Sequence, residues 1–520
     1  MVLKELPIWI QTLEEIIEWN YVYIDKTKEA YDIITRYKYV FLSRPRRFWK
    51  SLFLDTLKNI FEWNKELFKW LYIYDKWDFE DKYPVIKISW SGKNRTIEDL
   101  KLNMEKIIRD YQKKFNVLCD APLSHPTCFA ELIQKTSEKY NKPVVVLIDE
   151  YDKPILDVIE EPEQAKEHRE FLRWFYSILK DNDQYIKFAF LTWVSKFSKA
   201  SIFSGLNMLV DISLVRDFWN ICGYTEKELR ENFKDHLQWL SLEDIKAWYN
   251  WYYFLKDKVY NPFSILNYLS FKEFKNYWFS SWTPTFLIKL IQKNNYFLPK
   301  LSNLVVGEEI LNSFDVENIN LEVILYQAGY LTIKKVIVEE LGLNQITSYE
   351  LVFPNLEVKS AFHNYIIEYL FKQGSKERIN TQINVYKSLV NENLEEFKKT
   401  LKSLFVSISY NNYVNNDIFK YEWYYASIIY AYLQSLWVDI IWENTTNRWR
   451  IDLTLFIEDK IYIIEFKVLK DEKEKWTALQ QIKDKKYYEK YLTEWKKIYL
   501  VWIEFCEKEK NVCNFQWKAL

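Results

Sequence analysis

Glycine is almost missing from this chain. Among 520 residues there are 7 glycines and 23 tryptophans. Ordinary usage is roughly 7% glycine, or about 36 residues at this length. Tight turns, left-handed helix ends and phosphate-cradling loops need positive φ or close backbone approach. Glycine supplies both and tryptophan supplies neither. Many tryptophans stand where a turn former is expected. Trp49 precedes Lys50-Ser51 after a strand-like run, and Trp449 lies between two arginines in NRWRID. Trp437, Trp442, Trp495 and Trp502 lie in or near strand ends and turns. Some bacterial codes read UGA as glycine and others as tryptophan. UGA glycine recoding is therefore the expectation at many of these positions; the competing reading is a truly tryptophan-rich protein.

The length exceeds one ordinary core and predicts about two to four domains. With 49% hydrophobic and 28% charged residues the composition is globular. A net charge of −1 excludes a global basic field, so nucleic acid would have to meet a local basic patch. The five cysteines (Cys119, Cys128, Cys222, Cys506, Cys513) show no zinc-ribbon spacing, which predicts a reduced, cytoplasmic setting. The start, MVLKELPIWIQTLEE, lacks the apolar core of a signal peptide. No uncharged apolar stretch approaches the roughly 18 residues of a membrane span, so no membrane partner is expected.

Strands alternate with helices over the first 210 residues. KYVFLS (38–43) reads as a buried strand, followed by RPRRFWKS and the amphipathic LFLDTLKNIF. PVIKISW (84–90) is a second strand, and a charged helix spans about 96–116. PVVVLIDE (143–150) is the clearest buried strand, followed by a helix near 164–181 and the strand YIKFAFLT (185–192). This alternation predicts a mostly parallel α/β sheet. Residues 211–350 turn helical and aromatic and read as a lid or connector, and 351–410 as a helical linker region. Residues 411–520 form a last domain. Within 418–505 the order is α-β-β-β-α-β, with strands VDIIWE, RIDLTLFI, KIYIIEFKV and KIYLVWIEF.

A phosphate-binding loop of Walker A type reads GxxxxGK followed by Ser or Thr, between a strand and a helix. The matching window runs from Arg44 to Ser51, with Arg44 at the first glycine position and Trp49 at the second. Lys50 is the candidate contact to the β and γ phosphates and Ser51 the candidate Mg²⁺ ligand. Backbone N–H groups and the helix start would hold the anion. As written, an indole at 49 would obstruct this nest. The second half of the nucleotide site is the apolar strand ending in Asp149-Glu150. Asp149 suits Mg²⁺, and Glu150 suits orientation of an attacking water. A Lys-Ser pair alone is usually just a solvated helix start. Strand, degenerate loop, helix and a later VVVLIDE together are more specific.

SRPRRFWKSL, VVVLIDEYDKPI and LTWVSKFSKASIFSGLNML resemble the AAA-ATPase-like family found in many bacteria, often fused to a PD-(D/E)XK nuclease-like C-terminus. The family pattern has glycine at the positions of Trp9, Trp49, Trp193, Trp251 and Trp282, which supports recoding independently of composition. The resemblance implies an N-terminal AAA-like P-loop domain that binds ATP and Mg²⁺ through Lys50, Ser51 and Asp149, with Glu150 beside the hydrolytic water. It also implies a polar γ-phosphate sensor at Thr192 and phosphate contacts from Arg46, Arg47 and Lys196. For those three cations, surface charge is an equal reading.

The C-terminal segment carries Asp452, Glu465 and Lys467. Glu465 and Lys467 are two apart on a strand and share a face. If the strands form a hairpin turning at Glu458-Asp459, Asp452 and Glu465 face each other, with Cβ atoms about 4.5–5.5 Å apart. Two carboxylates that close repel unless a cation or a proton is shared. Oxygen ligands at that spacing suit Mg²⁺ or Mn²⁺, with Lys467 placed to position a water or neutralise charge. Glu422 on the preceding helix can complete the acidic cluster, and Gln481 on the following helix can bond substrate or water. The competing reading is a cross-strand salt bridge of Asp452 with Lys467 or Arg450. EWYYASIIY, RWRIDLTL, IIEFKV and ALQQIKDKKYYEKY resemble the successive motifs of the PD-(D/E)XK core. That pattern often has histidine where Ala426 stands. Lys485, Lys486, Tyr487, Tyr488 and Tyr491 form a basic, aromatic helix end that could meet phosphates and bases, or else be core tyrosines among solvated lysines.

The expectation is an ATP-binding, ATP-hydrolysing protein with a Mg²⁺-dependent nuclease-type domain acting on nucleic acid, DNA first, and compatible with a homo-oligomer. The alternative is an ATP-regulated switch that binds nucleic acid or protein through an inactive nuclease fold.

Overall fold

The computed structural model describes residues 3–62, 64–193, 208–278, 287, 289–291, 296–302, 304–308, 320–342, 344–370, 374–407, 422–436, 438–444, 451–469, 491–492 and 495–520. At 193, 302, 370, 422–424, 443–444 and 451–452 it describes the backbone alone. The chain forms two compact units, Met1–Ser281 with Val305–Glu350, and Trp282–Leu304 with Leu351–Leu520.

The first unit is built on strands β1 (Tyr39–Ser43), β2 (Val85–Ser89), β3 (Val144–Asp149), β4 (Ile186–Trp193) and β5 (Val210–Asp211). Their order is β2-β3-β4-β1-β5, with every pairing parallel. All six residues of β3 are buried, as expected for a strand covered on both faces. β4 lies between β1 and β3, so the carboxyl ends of three neighbouring strands deliver Ser43, Asp149 and Thr192 to one edge. Ligands bind at such edges in open α/β sheets. The helix Ile97–Phe115 starts on the Thr96 side chain, which accepts from Asp99 N–H, and ends on Asn116 at φ 49°. The helix Pro126–Tyr140 ends likewise on Asn141 at φ 50°. Asparagine here does the left-handed capping that glycine usually does.

Residues 211–350, read from sequence as a lid or connector, fall largely within this unit. β5 extends the sheet, and the buried Ser213 and Phe218 carbonyls hold Arg44. Beside its helices the segment carries a short hairpin, β6 (Tyr252–Tyr253) with β7 (Lys258–Val259). It also holds most of a three-stranded sheet of β8 (Leu304–Gly307), β9 (Thr332–Leu341) and β10 (Asn344–Val352), ordered β8-β10-β9.

The second unit is a five-stranded sheet in chain order, β11 (Asp439–Asn444), β12 (Ile451–Ile457), β13 (Lys460–Leu469), β14 (Lys497–Cys506) and β15 (Asn511–Ala519). Only β13 and β14 run parallel among these pairings. Residues 351–410, expected as a linker, belong to this unit because their apolar faces bury against its sheet. Tyr462 donates its hydroxyl to the Leu389 carbonyl at 2.6 Å, and Phe405 and Phe397 pack on Phe505 and Phe515. The helix Glu422–Ser435 covers the same face, with Tyr425 stacked on Phe505 at 4.2 Å. On the other face Ile461, Ile463, Ile498, Leu500 and Trp502 cluster with Tyr491. Tyr491 is thus a core residue rather than a stacking platform.

The expectation of unpaired, reduced cysteines also changes. Four of the five cysteines pair, Cys119 with Cys128 and Cys506 with Cys513, at Cα separations of 5.3 and 5.7 Å, while Cys222 is free and buried. Each pair is local, closed by a loop-to-helix turn or by the β14–β15 hairpin. Among the described residues, no helix is long and apolar enough to cross a membrane.

Among the described residues, six tryptophans adopt positive φ: Trp9, Trp49, Trp70, Trp239, Trp251 and Trp495. Trp239 and Trp495 are fully exposed, so their indoles gain nothing from packing. The left-handed region costs a non-glycine residue roughly 1–2 kcal/mol, partly offset by the greater freedom of an unfolded glycine. Trp239→Gly and Trp495→Gly should therefore each stabilise by up to about 1 kcal/mol. Denaturant midpoints of the two variants check this, and a loss of stability in both would contradict it.

Candidate functional site

The loop after β1 folds around its own lysine. Lys50 opens the helix Lys50–Glu62, and its buried ammonium donates to the Arg44 and Pro45 carbonyls at 2.9 and 3.0 Å. Burial pushes its pKa down, against the pull of Asp149 and Glu150. One residue on, Ser51 Oγ donates to Asp149 Oδ2 at 2.5 Å, and Thr192 Oγ1 donates to Asp149 Oδ1 at 2.6 Å. Residues predicted from three separated stretches therefore meet at one carboxylate. A hydroxyl and a carboxylate converging beside an ammonium form a hard-oxygen set that fits Mg²⁺ and a phosphate chain.

The arginines of the loop divide in role. Arg44 is 1% exposed, donates to the Ser43, Ser213 and Phe218 carbonyls and lies 3.9 Å above the Phe254 ring. It is an anchor for the loop, a role its place in the motif did not reveal. Burial pushes the Arg46 guanidinium down to about 10, with Asp152 and Glu150 opposing. Its carbonyl accepts from Asn261 Nδ2 and Trp278 Nε1, both at 3.2 Å. Arg47, at φ 66°, lies 4.1 Å from the Trp9 ring and 4.8 Å from Phe263. Gly329 underpins the loop from outside the motif. It sits at φ +90°, and a Cβ there would come 2.5 Å from Pro45 Cβ.

Trp49 takes φ 51°. Its indole packs edge-on against Tyr224 and lines a cavity of about 30 Å³ with Tyr23, Lys26, Thr56 and Cys222. The expected obstruction of the loop is replaced by an indole turned against Tyr224, where it forms one wall of that cavity. Lys196 lies outside the described residues.

Glu150 follows at φ 54°. Burial first, then Asp149, raises its pKa. A carboxyl with a raised folded pKa binds more protons folded than unfolded, so stability falls as pH rises through the window between the two values. Glu150→Gln should therefore be more stable than the parent at neutral pH, the difference shrinking as pH falls from the raised value to the ordinary glutamate value and vanishing below it. Thermal melts of both proteins across that range check this, and a variant less stable at neutral pH would contradict it.

In the second unit, β12 and β13 form the hairpin expected from sequence. Ile457 pairs with Lys460, and Asp452 stands opposite Glu465. Glu465 is 3% exposed, although the strand lies among apolar neighbours. Lys467, two residues on, shares its face and is half-buried. The side chain of Asp452 lies outside the described residues, as do Gln481, Arg450, Lys485, Lys486, Tyr487 and Tyr488. Glu422 opens a helix on the opposite face of the sheet from Glu465, and its side chain is likewise outside the description. Ala426 is fully buried there. A buried carboxylate opposite an aspartate position, with an amine two residues away, fits a divalent cation. Glu504, missed in the sequence, shares this face. Its signal was the same as that of Glu465, a lone acid in an apolar strand.

These two edges belong to an AAA-ATPase-like unit and a PD-(D/E)XK nuclease-like unit. Residues 7–203 match the family described as "Predicted AAA-ATPase", and residues 420–515 match the "PD-(D/E)XK nuclease superfamily". The chain is 39% identical over 520 residues to the "Uncharacterized protein in vnfD 5'region" of Azotobacter chroococcum mcd 1, with 99% of each chain covered. It belongs to the same family as that protein, with an AAA-ATPase-like N-terminus and a PD-(D/E)XK C-terminus. No solved structure matches the chain.

Proposed function

We propose that the protein binds and hydrolyses ATP in its first unit and cuts a nucleic-acid phosphodiester in its second, each with Mg²⁺, and that it works in the cytoplasm. The observation that carries the nuclease reading is the pairing of Asp452 with Glu465, two residues from Lys467 on one face. In the first unit Lys50 leaves the loop carbonyls for the phosphates. Ser51 and Asp149 hold the cation, Thr192 senses the γ-phosphate through the same carboxylate, and Arg46 and Arg47 meet phosphate oxygens. Glu150 accepts a proton from the attacking water, a role suited to its raised pKa. In the second unit Asp452 and Glu465 hold the cation, which supplies Lewis-acid stabilisation of the scissile phosphate. Lys467 orients the water, Gln481 and Glu422 support substrate and metal, and DNA is the first substrate to try.

Lys50→Ala should abolish ATP turnover while leaving the protein folded. Asp452→Ala and Glu465→Ala should each abolish Mg²⁺-dependent DNA cleavage. Cleavage that survives both would refute the assigned site. Nucleic-acid binding without cleavage in the parent protein would instead establish the switch reading.

We also propose that the tryptophans at positive φ are glycines in the native protein, read from UGA. Supporting this are the scarcity of glycine, the six left-handed tryptophans and the full exposure of two of them. With glycine at 49 the loop would carry the second half of its motif intact. Mass spectrometry of protein from its own host checks this: peptides spanning position 49 should carry glycine, and tryptophan there would end the idea.

A further inference from the structure

Glu504 lies on β14, and its register partner on β13 is Lys467. In-register residues on neighbouring strands share a face. Glu504 therefore stands on the side of the sheet that carries Glu465, Lys467 and the Asp452 position. Along the same face runs the dry cluster of Ile463, Leu500 and Trp502, so this polar row borders a buried core. Glu504 is itself only 4% exposed. Its Oε2 accepts from Asn514 Nδ2 at 3.0 Å, and Asn514 is its in-register neighbour on β15. That bond fixes the carboxylate from one side. Among the described residues, Oε1 is buried and accepts no hydrogen bond. An ionised oxygen in that state is costly unless a cation reaches it.

We propose that Glu504 is a further oxygen ligand of the divalent cation assigned to Glu465. The site would then draw its carboxylates from three strands, β12, β13 and β14. This rests on the nuclease-type reading of the second unit. Glu465 is in register with Trp502, two residues before Glu504, so the two glutamates are diagonal neighbours. Diagonal neighbours are separated by roughly 7–8 Å along the backbone. Two glutamate side chains span that gap to a common ion, whose oxygen ligands sit at about 2.0–2.2 Å for Mg²⁺ or Mn²⁺. The Asn514 amide positions Oε2 and leaves Oε1 for the ion.

The test is Mn²⁺ binding to the full-length protein without nucleotide, read from the electron paramagnetic resonance signal of the free ion. Glu504→Gln should weaken binding by roughly tenfold or more, with circular dichroism unchanged, and Glu465→Gln should weaken it as well. Parental affinity in Glu504→Gln beside a loss in Glu465→Gln overturns the proposal and leaves the nuclease-type reading standing. Failure of Glu465→Gln to alter Mn²⁺ binding removes both. Should Glu504→Gln not fold, Glu504→Asp keeps the charge and withdraws the oxygen by one carbon. Weakened binding in that variant supports the assignment, and parental binding overturns it.

Discussion

A single carboxylate organises the first unit. Asp149 ends a strand buried along its whole length, and both its oxygens are taken by hydroxyls, Ser51 from the helix after β1 and Thr192 from β4. The strand order β3-β4-β1 makes this geometry available, because β4 with Thr192 lies between β1 and β3. Charge so deep in a protein is tolerated only when hydrogen bonds satisfy it. The same dryness that makes Asp149 a strong anchor works against its neighbour. Glu150 lies partly buried beside Asp149, and burial first, then that neighbour, raises its pKa. A carboxyl destabilised as an anion is also a better base than an ordinary surface glutamate. The cost to the fold and the chemistry proposed for this edge have one electrostatic origin.

The strand–helix alternation of the first 210 residues and the β12–β13 hairpin were legible because each depends on local pattern. VVVLID is apolar throughout, and Asp452 and Glu465 are mirror positions about Glu458-Asp459, so the register follows from the turn. What escaped was non-local. Nothing in SRPRRFWKS says that Arg44 will be buried under the carbonyls of Ser213 and Phe218, about 170 residues away. Nor does the helical 351–410 stretch announce that Phe405 will pack on Phe505. Helical periodicity identifies an apolar face but not its partner, and a linker and a core helix look alike until the sheet is present.

The tryptophans separate into two physical populations. Trp90 is fully buried and packs edge-on against Phe175 in the core. Trp442 pairs with Phe297 and Tyr430 and is buried as well. By contrast Trp70, Trp239 and Trp495 combine positive φ with at least 89% exposure, so they pay backbone strain and return no packing. A lineage that truly favoured tryptophan would have no reason to place it at the backbone positions least suited to it. A misread codon for glycine would place it there, since glycine gathers at those positions. Trp49 is the informative intermediate. Its backbone is left-handed, yet its indole packs edge-on against Tyr224 and walls a small cavity. On the proposed recoding, the left-handed backbone at 49 suits glycine, while the ring packed on Tyr224 shows only that an indole can be accommodated. The φ angle is the better discriminator, because a side chain will settle in whatever space is nearest whereas the course of the loop is set by the strand and helix on either side.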